Sequence, residues 1–151
     1  MLVAPRVAGG EGHHPGYQVH DPLDSAQEAT AWLARTSRRQ PLTLVALCGA
    51  PNEQVLAAFD ASDRVLLLCD PSVASIRGTQ RTLKLCGSLG YGIEKTAVVL
   101  HDFPDDGPLS PADAAAALRR EILWAIPARA AGQAAREAAF AALAARLIAP
   151  A

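Results

Sequence analysis

The chain has 151 residues, a formal net charge of -1 and a hydrophobic fraction of 50%. This length suits one domain that buries an apolar core without disulfide or metal cross-links, and the composition is that of a globular chain. The near-zero net charge excludes a general attraction to nucleic acid or anionic lipid. No apolar run approaches the roughly 18 residues of a membrane span, and the first residues lack the apolar stretch of a signal peptide, so we expect a cytoplasmic protein without membrane insertion.

The N-terminal part of the chain predicts little regular structure before residue 25. Leu2–Ala4 is a short apolar run, predicted as a strand, and residues 5–23 are rich in glycine and proline, which is typical of a loop. Ser25 and Glu28 then form a capping-box pattern ahead of apolar residues at helical spacing. We therefore treat residues 1–24 as a strand plus flexible loop and predict a helix over about 25–37.

Strands and helices are then predicted in alternation to the end of the chain. The apolar runs Leu42–Cys48, Arg64–Cys69, Thr96–Leu100 and Ile122–Ile126 are predicted as buried parallel strands. Helices are predicted at 52–59, from Asp70-Pro71-Ser72 to the glycines at 90 and 92, from Ser110-Pro111, and over about 130–148. This order predicts an α/β fold, a three-layer α/β/α domain with a mostly parallel sheet of four to five strands, in which residues 25–151 form the core of a single domain, 1–151.

The long helix after Asp70 has a clear amphipathic pattern. Ile76, Thr79, Leu83 and Cys86 form one stripe, and the opposite side carries the basic residues Arg77, Arg81 and Lys84. The basic face is a possible interaction surface for an acidic partner or DNA, against the simpler interpretation of a solvated outer face. The balanced charge and the absence of interleaved aromatic residues make nucleic acid the weaker hypothesis.

Two consecutive stretches of the chain have a familiar pattern: SDRVLLLCDPSVASIRGTQRTLKLCGSLGYGIEKTAVVLHDF and the following LSPADAAAALRREILWAIP. They resemble the second half of ParA/MinD-family ATPases, and in particular the pilus-assembly branch called CpaE or TadZ. The resemblance runs from about residue 41 to 127. It implies a Rossmann-like fold derived from P-loop NTPases. By resemblance, the setting would be a bacterial positioning or assembly apparatus, such as pilus or secretion assembly, cell division or partition. Partners would be an active relative, an apparatus component or a second copy of the chain.

The residues that would bind a nucleotide in this family are absent or altered here. The chain has no GxxxxGK[ST] or KGGxGK pattern, and its lysines are Lys84 and Lys95. The strand similar to Walker B, LTLVALC, has no terminal acid. His101 and Asp102 stand where the family has its adenine-binding asparagine, and Arg129 follows the "IP" motif. We therefore expect a degenerate, non-catalytic pseudo-ATPase and a protein-binding scaffold, with no cofactor, no catalytic residue and no metal.

Two further hypotheses stay open. The residues at or beyond predicted strand ends, Asp70, His101, Asp102 and Arg129, are a possible degenerate ligand site, and a small-molecule-binding protein or enzyme would use these loops together with the one at Gly49. The residues His13, His14, His20 and Asp21 lie close together, but exposed loop histidines explain them better than a metal site. The three cysteines, Cys48, Cys69 and Cys86, are interpreted as buried reduced thiols.

Overall fold

α-Helices and parallel β-strands alternate along the computed structural model, which describes residues 2–3, 25–39, 43–47, 51–103 and 109–148. The chain divides into two compact units, residues 1–63 and 64–151, and each is described by itself. The mixed α/β fold with parallel strands confirms the fold class that the sequence predicts. Whether the whole chain behaves as one domain stays a prediction. The histidines at 13, 14 and 20 and Cys48 lie outside the described residues.

The first unit contains two short strands and two helices. They are β1 (Leu2–Val3), α1 (Ala26–Ser37), β2 (Leu44–Val45) and α2 (Glu53–Ala61). β1 and β2 pair in parallel, with Leu2 opposite Leu44. Each helix begins at a side-chain cap, because the Ser25 hydroxyl accepts from Glu28 N–H at 3.2 Å and Asn52 Oδ1 accepts from Val55 N–H at 2.9 Å.

The helices of the first unit share a small apolar core. Trp32 and Leu33 of α1 pack with Ala58 of α2, and Val45 of β2 lies against them. β2 is shorter than the predicted strand, and Leu44 is 42% exposed rather than buried on both faces. Among the described residues β2 pairs with β1 alone.

The second unit is a three-layer sandwich. It contains β3 (Val65–Cys69), α3 (Val73–Ser88), β4 (Thr96–Phe103), α4 (Pro111–Leu118), β5 (Ile122–Pro127), a 3₁₀ turn (Arg129–Ala131) and α5 (Gln133–Ile148). The three strands are parallel in the order β3-β4-β5. α3 and α4 cover one face of this sheet and α5 covers the other.

Successive side chains of β4 point to opposite faces of the sheet and so contribute to the apolar core on each side. Val98 and Leu100 point towards α3 and α4, where Ile76, Leu83 and Leu118 complete the cluster. The residue between them, Val99, points to the opposite face and packs in a second cluster, whose other buried members are Ile126 and Leu143.

The predicted faces and boundaries of α3 are confirmed. Ile76, Thr79, Leu83 and Cys86 are its buried residues. The Ser72 hydroxyl accepts from Ser75 N–H at 3.1 Å and begins the helix. At the other end Gly90 has φ +81°, a left-handed conformation that glycine adopts without steric cost. Burial also raises the pKa of the Cys86 thiol, as expected of a reduced core cysteine.

The core position at Leu100 provides a test of this packing. Leu100 is fully buried in β4, so Leu100→Ala should leave a cavity and lower the free energy of unfolding by about 2 to 5 kcal/mol. The control is Ile93→Ala, because Ile93 is 76% exposed and its truncation should change stability by less than about 0.5 kcal/mol. Urea denaturation followed by circular dichroism measures both, and equal effects would contradict the assigned core.

Candidate functional site

The carboxyl ends of three parallel strands lie at one edge of the second unit's sheet. Asp70 directly follows β3, His101 and Asp102 lie in the last residues of β4, and β5 ends at Pro127. This edge is where open α/β sheets bind their ligands. Asp70, His101 and Asp102 lie at these strand ends, and Arg129, the fourth residue predicted for a degenerate ligand site, lies in the turn just beyond the end of β5.

The contacts of Asp70 are those of a helix start. Its Oδ1 accepts from Ser72 N–H at 2.9 Å, and its own N–H donates to the Ser75 hydroxyl at 3.1 Å. The hydrogen bond from Ser72 is the main cause that lowers the pKa of Asp70, and the charge of nearby His101 acts in the same direction. Asp70 is therefore ionised and shapes the turn between β3 and α3.

The chain bends at Asp102 inside the end of β4. The prediction ended this strand at Leu100, but the structure continues it to Phe103. Asp102 has φ +57°, and the ladder to β5 shifts register between His101 and Phe103. Such a bulge re-aims side chains near a strand end, and aspartate is one of the few residues that tolerate the left-handed region. The bulge leaves His101 Nδ1 3.4 Å from Asp102 Oδ2.

Arg136 of α5 binds this bulge and the end of β5 together. Its Nη1 donates to Asp102 Oδ1 and to the Pro127 carbonyl oxygen, each at 2.6 Å. The hydrogen bond from Arg136 is the main cause that lowers the pKa of Asp102, with a smaller contribution from His101. We call this arrangement of Asp102, Pro127 and Arg136 the edge clamp. It connects β4, β5 and α5.

Sequence reasoning named Arg129 but did not single out Arg136. Arg129 lies in the exposed 3₁₀ turn after β5, and the arginine that pairs with Asp102 is Arg136. One signal for Arg136 was available. A cation near the N-terminal end of a helix is unfavourable for the helix dipole, so its presence in an otherwise alanine-rich segment indicates an acidic partner.

The predicted basic face of α3 is solvent-exposed. Arg77, Arg81 and Lys84 are all exposed and stand at i, i+4 and i+7 on the side opposite the buried stripe. The structure thus confirms their placement on one accessible surface, which we call the basic face. Their role in binding stays a prediction.

No cluster of three or more histidine, cysteine or acidic side chains suited to a metal ion occurs among the residues that the structure describes. Within the same residues, no helix has the length and apolar character needed to cross a membrane.

The comparisons with known proteins place the fold. No protein-family model matches the chain, and no curated protein matches it. Among solved structures, a ParA family ATPase from Chlorobium tepidum TLS superposes with a TM-score of 0.62 at 16% identity, over 68% of this chain and 42% of that one.

Two further similar structures come from Aquifex aeolicus. The MinC:MinD cell division protein complex matches with a TM-score of 0.59 at 20% identity, over 70% of this chain and 45% of that one. The MinD cell division protein matches with a TM-score of 0.54 at 20% identity, covering 68% and 46%. The fold is ParA/MinD-like. The chain spans less than half the length of these solved relatives.

The edge clamp predicts a specific change in the titration of Asp102. Arg136→Met removes the charged donor, so the pKa of Asp102 should rise towards its ordinary value of about 3.9. Arg129→Met removes an equivalent charge from the neighbouring turn and should leave that pKa unchanged. Carboxyl-carbon NMR titration of both variants measures the difference, and equal shifts would contradict the assignment of the clamp.

The same clamp has a consequence for stability. Because the folded-state pKa of Asp102 is depressed, its contribution is present above the unfolded-state pKa and is lost as pH falls through the folded-state value. Urea midpoints of the wild-type protein should therefore decline below about pH 4 more steeply than those of Arg136→Met.

Proposed function

We propose that this chain is a non-catalytic ParA/MinD-like module, a pseudo-ATPase that acts by binding other proteins. The observation that carries the proposal is the edge clamp. At the sheet edge where a ligand would bind, a carboxylate and a guanidinium neutralise each other at 2.6 Å. Neither charge is thereby left free for a nucleotide.

The positions of the two lysines support the same proposal. Nucleotide phosphates in P-loop proteins need a lysine near the carboxyl ends of the strands. Lys84 is on the exposed basic face of α3, and Lys95 lies immediately before β4, at the opposite, amino end of the sheet. Lys95 also lies 4.8 Å from the centre of the Tyr91 ring. Neither lysine is therefore at the edge that holds the clamp.

The exposed, charged face of α3 supports a role in binding another protein. One similar structure is a complex of MinD with a second protein, MinC. We propose that this chain likewise binds a protein partner, in the assembly or positioning setting that its resemblance to the CpaE/TadZ branch implies. The basic face supplies three cations within two helical turns, which favours an acidic partner surface.

Nucleotide titration tests the non-catalytic part of the proposal. Calorimetric titration with ATP and ADP in the presence of Mg²⁺ should give no saturable heat, and light scattering should show no change in mass on adding nucleotide. The ParA family ATPase from Chlorobium tepidum serves as the positive control under the same conditions. Saturable, Mg²⁺-dependent binding in the micromolar range would overturn the pseudo-ATPase assignment.

The basic face is tested by charge reversal. A variant with Arg77→Glu, Arg81→Glu and Lys84→Glu should lose binding to an immobilised poly-glutamate surface, the probe for an acidic partner. The matched control reverses three exposed arginines of the first unit, Arg35, Arg38 and Arg39, and should retain binding. Surface plasmon resonance at several salt concentrations measures both.

A labelled DNA duplex distinguishes the nucleic-acid hypothesis. The proposal expects no DNA binding at physiological ionic strength. DNA binding that falls steeply with salt and disappears in the basic-face variant would instead favour a nucleic-acid-binding module.

A further inference from the structure

The charge on the outer side of α3 has a single sign. The helix, Val73–Ser88, contains no acidic residue, and its exposed charged side chains are those of the basic face, Arg77, Arg81 and Lys84. None of these three cations forms an ion pair with a residue that the structure describes. The basic face is therefore not neutralised within that part of the chain.

The spacing of the three cations adds to this imbalance. Arg77 and Arg81 stand at i and i+4, and Lys84 follows three residues after Arg81, so each cation is the helix-surface neighbour of another. Like charges at these separations repel each other and destabilise a helix. An acidic surface laid along α3 would relieve both repulsions, so binding such a partner would also stabilise the helix.

An exposed apolar residue extends the basic face towards the start of α3. Val73 lies one turn before Arg77 on the same side of the helix, and it is 66% exposed. The surface therefore has an apolar end at Val73 and a basic stretch from Arg77 to Lys84. This order gives it a direction along the helix axis.

The neighbouring helix α4 leaves room for a partner that lies along α3. Gln80 of α3 donates from Nε2 to the Ala117 carbonyl oxygen of α4 at 2.7 Å, which places the two helices side by side. The exposed residues of α4 all have short side chains: Pro111, Ala112, Asp113, Ala116 and Ala117. The basic side chains of α3 are therefore next to a surface of short side chains, over which a second helix can pack.

The axial spacing of the cations matches a helical partner. At roughly 1.5 Å per residue, the intervals along α3 are about 6 Å from Arg77 to Arg81 and about 4.5 Å from Arg81 to Lys84. An acidic helix with carboxylates at i, i+3 and i+7 has the same two intervals. Three acids on one face of an extended chain would instead span about 13 Å, against about 10.5 Å for the basic face.

We propose that the basic face binds an acidic amphipathic helix of another protein, packed antiparallel to α3. Antiparallel packing brings opposite ends of the two helix dipoles together. In this orientation, partner acids at i, i+3 and i+7 meet Lys84, Arg81 and Arg77, and an apolar residue at i+11 meets Val73. This inference rests on the proposed function, because it specifies the acidic partner that is proposed for the same face.

Fluorescence anisotropy with two labelled helical peptides tests the proposal on the full chain. One alanine-glutamine peptide has glutamates at i, i+3 and i+7 and leucine at i+11, and the other has the same composition with these residues distributed around the helix. The first should bind with a dissociation constant at least about fivefold lower, since it alone can form three ion pairs at once. Circular dichroism checks that both peptides are equally helical. Equal dissociation constants, or no binding of either peptide, would overturn the proposal.

Moving one charge along the protein's own helix tests the register. Lys84→Ser combined with Ser88→Lys keeps the composition of α3 and moves one cation by one turn between two exposed positions. This variant should bind the first peptide at least about threefold more weakly. It should regain affinity for a peptide with glutamates at i−4, i+3 and i+7. An unchanged affinity for the first peptide would contradict the register.

The immobilised poly-glutamate surface separates this inference from the proposed function. Wild-type protein that binds poly-glutamate but does not distinguish between the two peptides would overturn the helical partner and leave the acidic partner in place. Wild-type protein that binds neither the peptides nor poly-glutamate would overturn both.

Discussion

The arrangement of the second unit depends on the burial of β4 from every side. Val98, Val99 and Leu100 are at most 1% exposed, and β4 pairs with β3 on one side and β5 on the other. The side chains of a strand in this position do not reach solvent on either face of the sheet, so helices must cover both faces. α4 is able to lie close to the sheet because its contact residue is small, Ala114, which is fully buried. The apolar character of this one run therefore dictates a three-layer structure.

At its carboxyl end β4 is no longer buried on both faces. Beyond Leu100 the strand reaches the sheet edge, side chains become partly exposed, and polar residues are tolerated. His101 and Asp102 occupy this position, and the left-handed backbone at Asp102 turns its carboxylate towards α5. Arg136 meets it there and also satisfies the Pro127 carbonyl, which ends β5. A polar group at the edge of a core is stabilised by a hydrogen-bond partner. For the Asp102 carboxylate, that partner is Arg136 of the same chain.

The sequence allows the order, type and approximate bounds of the elements to be predicted, together with the buried stripe of α3. These features depend on local patterns: helical spacing, caps such as Ser72 and apolar runs between glycines and prolines. The predicted site was less complete. Asp70, His101 and Asp102 were identified because residues at parallel strand ends meet at one edge, which follows from topology.

Arg136 was missed because its role depends on the rotation of α5 against the sheet. Arg129 was named because it follows the Ile126-Pro127 motif, and the structure places it in the exposed turn after β5. The extension of β4 to Phe103 was missed for a related reason. A bulge at Asp102 has no periodicity to reveal it, since it results from the pairing of β4 with β5 and from the contact with Arg136.

The surfaces of the second unit differ in whether their charged groups are paired within the chain or exposed to solvent. At the carboxyl edge, charges are paired within the chain and the turn after β3 is closed by its own serines. On the outer side of α3, three cations face solvent. In β3, Leu68 is the exposed residue, at 62%, whereas Val65 and Cys69 are buried. A fold that pairs the charges at its ligand edge within the chain and exposes a charged helix face is suited to contacts with other polypeptides, which engage such a surface through many weak contacts at once.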